Sequence, residues 1–96
     1  MRTPLRTFTI AKEDIHQVQF SKQDVLINKN QQKERAHQLT RAAKLGNLLR
    51  NKVSIYFMDK NSKLLRVNTT VWAVTKKFVI LKNATTIPLE SIVGVE

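Results

Sequence analysis

Lys63-Leu64-Leu65-Arg66-Val67-Asn68-Thr69-Thr70-Val71-Trp72-Ala73-Val74-Thr75 reads as extended chain throughout. Branched and aromatic residues dominate it, and such residues fit a pleated, half-buried surface. At about 3.3 Å per residue, one straight strand of this length is overlong for a 96-residue domain. A sharp bend at Asn68-Thr69-Thr70 resolves the conflict and lets one strand serve both halves of a curled sheet. Working outward, Val53-Ser54-Ile55-Tyr56-Phe57-Met58 alternates, with Val53, Ile55 and Phe57 on one face. Asp59-Lys60-Asn61-Ser62 has the composition of the turn between them. Downstream, Lys76-Lys77 turns into Phe78-Val79-Ile80-Leu81, and Asn83-Ala84-Thr85 turns into Thr86-Ile87-Pro88-Leu89. Glu90-Ser91-Ile92 suits one tight turn before Val93-Gly94-Val95.

Ahead of these strands, residues 31–45 are rich in Gln, Lys, Glu, Arg, Ala and Leu and predict a helix. Asn28 or Asn30 caps its start, and Gly46-Asn47 supplies the stop. Ala36, Leu39 and Ala43 form its narrow apolar stripe. Residues 1–27 follow neither hydrophobic period and are expected to be a flexible arm or short strands. The expected organisation is therefore this arm followed by one domain over residues 28–96. Its core is expected to centre on Leu39, Leu48, Val53, Ile55, Phe57, Leu65, Val67, Val71, Val79, Leu81, Ile87, Leu89 and Ile92.

A helix followed by five short antiparallel strands, the second long and bent, resembles the Sm-like and Src-homology-like small barrels. The ending Ile87-Pro88-Leu89-Glu90-Ser91-Ile92-Val93-Gly94-Val95 looks like the close of such a barrel. The resemblance covers residues 31–96, and residues 69–88 also look like short bacterial proteins with this barrel. It implies a mainly β fold, an N-terminal helix followed by a small, strongly bent five-stranded antiparallel barrel, to which the reading of residues 1–27 adds a poorly ordered N-terminal arm. Sm-like proteins bind RNA and form rings. The family's Asp–aromatic–Asn signature is replaced by Asp59-Lys60-Asn61, and its Arg-Gly pair by Lys82-Asn83. The family's uridine site and ring are therefore not carried over, and fold alone does not fix function.

The chain carries 17 Lys and Arg against 7 Asp and Glu, a net charge of +10. Residues 28–52 hold most of the excess, with Lys29, Lys33, Arg35, Arg41, Lys44, Arg50 and Lys52 against Glu34 alone. Lys29, Lys33, His37 and Arg41 step by four and Lys44 follows by three, which makes one basic ridge on a helix. Lys76, Lys77 and Lys82 stand at turns and extend the basic surface. RNA or another nucleic acid is the expected partner of these eight residues, because such a field attracts polyanions. The alternative is a protein-interaction or assembly module in which the charge only confers solubility. An open edge on the last strand would then also serve a homo-oligomer.

Enzyme chemistry is not expected. There is no cysteine, and the two glycines form no phosphate loop. His16 beside Glu13 and Asp14, and His37 beside Glu34, are the histidine neighbourhoods, and neither is expected to bind metal. No cofactor is expected. Trp72 is expected in the core or under the helix rather than as a platform for bases. No apolar run approaches the ~20 residues of a membrane span. The Ala36-Leu39-Ala43 stripe is too small for surface insertion, so no membrane role is expected. With no continuous apolar stretch after Arg6, no cleaved signal peptide is expected, and the cytoplasm is the expected location.

Overall fold

In the computed structural model of the protein, which describes residues 6–96, the long extended run breaks at Thr70. It divides into β3 (Leu64–Thr69) and β4 (Val71–Val74), and the two halves join different sheets. The other elements are β1 (Phe8–Thr9), α1 (Lys29–Leu49), β2 (Val53–Met58), β5 (Phe78–Leu81), β6 (Thr86–Pro88) and β7 (Ile92–Val95). One sheet has the order β1-β3-β2-β7 and the other β4-β5-β6.

This corrects the expected five-stranded barrel. The strands make one four-stranded and one three-stranded sheet, and among the described residues no ladder joins them into a closed barrel. Nor is the pairing wholly antiparallel, since Phe8 and Thr9 lie parallel to Leu65 and Arg66. Helical segments and strands take nearly equal shares of the described chain, so the architecture is mixed α/β rather than mainly β. The physical reason is the break itself. Closure needs one strand that bends while keeping its ladder on both sides, whereas Thr70 belongs to neither strand and its carbonyl accepts from Lys82 N–H at 3.0 Å.

Of the two readings of the N-terminal segment, residues 6–27 depart from the poorly ordered arm and follow the short strands packed on the domain, while residues 1–5 lie outside those described. After β1, Ile10 N–H extends the pairing by donating to the Arg66 carbonyl at 2.9 Å. A 3-10 turn at Lys12–Gln17 then turns Ile15 inward, where it is 1% exposed and part of the core. Phe20 bridges to Asp59 and tilts against Phe57, with ring centroids 5.9 Å apart. At about 25 cal/mol per Å², burying a side chain such as Ile15 contributes roughly 2 kcal/mol against leaving it exposed.

Asn28 caps α1, its Oδ1 accepting from Asn30 N–H and Gln31 N–H. The helix runs past the expected stop to Leu49, and Arg50 takes the left-handed position, φ 56°, that ends it. Gly46 is thus a helix-interior residue. Its role is close approach, since a Cβ there would lie 2.3 Å from the Val71 carbonyl oxygen. The buried positions of α1 are Arg35, Leu39, Ala42 and Gly46 rather than the predicted Ala36, Leu39 and Ala43. Around Leu39 the core gathers Ile55, Phe57, Leu65, Val67, Val71, Val79, Leu81, Ile87 and Ile92, while Val53 and Leu89 are half-buried at its margin. Leu48, expected in the core, is 80% exposed because it falls on the outer side of the lengthened helix.

Candidate functional site

The inner side of α1 determines where its charges point. At 100° per residue, the four buried positions cluster on one side, and the centre of Lys29, Lys33, His37, Arg41 and Lys44 lies about 180° away. All five are exposed. Arg35–Asp24 is the one salt bridge among the described residues, so no ridge cation is neutralised by a carboxylate of the described chain. Glu34 and His37 do not pair either. The ridge spans about 22 Å at 1.5 Å per residue, the length of roughly six phosphates in a stacked strand.

Arg35 sits on the opposite face and is structural. It is 8% exposed and grips Asp24 with two bonds, Nη1 to Oδ1 at 2.9 Å and Nη2 to Oδ2 at 2.8 Å. Nη1 also donates to the Ile92 carbonyl at 3.0 Å. Burial pushes the Asp24 carboxyl up, but hydrogen bonds from Arg35 and from Leu26 N–H, with the Arg35 charge, outweigh it and hold the pKa below its ordinary value. Gln38 Oε1 accepts from Val95 N–H at 3.1 Å. These two side chains occupy polar groups along β7 on the strand edge considered for self-pairing.

The three turn lysines do not join the ridge as one surface. Lys76 and Lys77 are exposed between β4 and β5 and line a groove that also contains Asp24 and Glu90. Lys82 lies elsewhere, in a cleft of about 410 Å³ at the C-terminal end of α1. Arg50, Lys52, Thr70 and Trp72 line the same cleft, and no carboxylate does. The Lys82 turn is fixed by Asn83 and Ala84 in left-handed conformations, φ 71° and 61°, and by Leu81 N–H donating to the Thr85 carbonyl at 2.7 Å. For Ala84 that conformation costs about 1 kcal/mol, which the surrounding contacts offset.

Sequence reasoning missed Arg50 and Lys52 as site residues, although both directly follow the helix. It also placed Trp72 inside, whereas Trp72 is 45% exposed. The cause is a bulge: Val71 pairs with Leu81 and Ala73 with Ile80, leaving Trp72 without a partner in the ladder. Such a bulge re-aims a side chain. Asn47 Nδ2 donates to the Trp72 carbonyl at 3.1 Å and ties the bulge to α1.

His16, Glu13 and Asp14 are exposed on the first 3-10 turn. Among the described residues no three His, Cys, Asp or Glu side chains group to hold a metal ion. No described helix is long and apolar enough to cross a membrane. Set against models of known protein families, curated proteins and solved structures, the chain matches none of them, so no family stands behind the small-barrel resemblance.

Proposed function

We propose that this protein binds RNA or other nucleic acid through the outer face of α1, as a binding protein rather than an enzyme. The observation that carries the reading is the row Lys29, Lys33, His37, Arg41 and Lys44, exposed opposite the buried face and without a carboxylate partner among the described residues. Lysine and arginine in such a row neutralise phosphates without reading sequence. Binding then releases counterions, and affinity falls log-linearly with salt.

The test is RNA binding by nuclease-treated protein across a salt series, beside the Lys33→Glu, Arg41→Glu double variant. The expected result is useful affinity near physiological salt, with the salt slope shallower by about two in the variant. Unchanged affinity in the folded variant overturns the helix face as the site. Binding confined to very low salt is the generic behaviour of a protein of charge +10 and overturns the function.

A further inference from the structure

Two aromatic side chains of the three-stranded sheet reach solvent, and their surroundings differ. Phe78 is 42% exposed in a groove where the carboxylates of Asp24 and Glu90 stand among Arg35, Lys76 and Lys77, so its charge is mixed. Trp72 is 45% exposed in the cleft with Arg50, Lys52 and Lys82, which no carboxylate lines. The bulge directs the indole outward, and the bond from Asn47 holds its backbone against the helix. Close contact between Gly46 and Val71 fixes that helix to the start of β4. The indole therefore stands on a braced strand, with three cations around it. The end of α1 opposes an anion with about half a negative charge, which three full positive charges outweigh.

We infer that this cleft binds an unpaired nucleobase of a single-stranded nucleic acid, stacked on Trp72, with the flanking phosphates on Arg50, Lys52 and Lys82. The inference rests on the nucleic-acid reading of the helix face and narrows its substrate class. A duplex keeps its base faces covered by neighbouring bases, and only an unpaired base offers a face to an indole. Stacking is tolerant of sequence because every base has a π-face, so the site selects strandedness rather than a particular base.

Trp72 is the only tryptophan in the chain, and its fluorescence therefore reports on this cleft alone. The probe is single-stranded oligouridine of about ten nucleotides, a length within the range of a small single-strand site. A G·C-rich duplex of the same length, which stays paired at the assay temperature, is the comparison. Near physiological salt, oligouridine quenches the fluorescence and the duplex does not. Trp72→Ala weakens oligouridine binding by about tenfold and leaves duplex binding unchanged, while Trp72→Phe recovers most of the loss. Oligouridine that binds without quenching, and equally well to Trp72→Ala, overturns the cleft and leaves the helix-face reading standing. Equal quenching by the duplex overturns stacking on an unpaired base. Failure of both probes to bind overturns the cleft and the helix-face reading together.

Discussion

Arg35 and Arg41 carry the same guanidinium on the same helix, and the two faces of α1 use it in opposite ways. Arg35 is 8% exposed, doubly bonded to Asp24 and bonded again to the Ile92 carbonyl. Arg41 is exposed and has no carboxylate partner among the described residues. On the inner face a charge is tolerated because every contact around it is specified, and removing one partner strands the other. On the outer face the charge is solvated, contributes little to stability and stays available to a ligand. A sum of charges along the sequence cannot separate these two kinds of arginine. Position relative to Leu39 does, because Arg35 is one turn from it on the buried side.

The comparison breaks most readily at Gly46. Gly46→Val is expected to destabilise the protein by about 3 kcal/mol, seen as a lower urea midpoint. Its Cβ would meet the Val71 carbonyl oxygen at 2.3 Å and Thr70 Cγ2 at 3.0 Å, and the first is backbone that cannot swing aside. Gly46→Ala loses less, because alanine gains about 1 kcal/mol of helix propensity over glycine. A stabilising Gly46→Ala would show that the helix does not approach β4 this closely.

Arg35→Ala comes next, at about 2 kcal/mol. It removes the bonds to Asp24 and to the Ile92 carbonyl, leaving a buried backbone acceptor and a half-buried carboxylate without their partner. Asp24 is partly open to solvent and re-solvates, so the loss stays below that of a fully buried pair. An Arg35→Ala variant as stable as the parent protein would remove the distinction between the faces.

The same pair predicts a pH dependence of smaller size. Asp24 has a folded-state pKa below its ordinary value, because the Arg35 and Leu26 hydrogen bonds and the Arg35 charge exceed the opposing effect of burial. A depressed carboxyl pKa means that the unfolded chain takes up the proton first. The stabilisation is complete above the unfolded value of about 3.9, and is lost as pH falls through the folded value. Urea midpoints measured down to about pH 2 are expected to show an acid loss that Asp24→Asn makes shallower. An identical acid limb in Asp24→Asn would remove the pair from the pH dependence.

These positions also show how far the residues alone could be read. An Asn cap at position 28 or 30 and the alternation of Val53, Ile55 and Phe57 follow from local rules, and the described chain has both. The same rules marked a change of direction near Thr70 but made it a bend in one strand, where the chain has a break between two sheets. What those rules missed is non-local. Arg35 and Gly46 occupy buried helix positions with a cation and a glycine, so a search for apolar residues rotated the stripe toward Ala36 and Ala43. Ile15 lies among Lys12, Glu13, Asp14 and His16, and a 3-10 turn matches neither the helix nor the strand period. The exposure of Trp72 comes from how β4 pairs with β5, a property of two strands that neither carries alone. The closed barrel failed for the same kind of reason: composition shows that strands form, but not whether the ladder continues past Thr70.

The smallest expected effect sharpens the comparison most. Lys33→Glu with Arg41→Glu is expected to change the urea midpoint by less than about 0.5 kcal/mol equivalent, since both side chains are exposed and neither makes an ion pair among the described residues. The two charge reversals even relieve repulsion along a face crowded with cations. A charge change of four that leaves stability in place, beside the loss in Arg35→Ala, shows that charge sign alone does not govern the fold. A large loss in the double variant would mean that the outer face has structural partners after all, and the division between the two sides of α1 would fall. With stability held, any change in RNA affinity belongs to the surface itself, because the population of folded protein is the same in both.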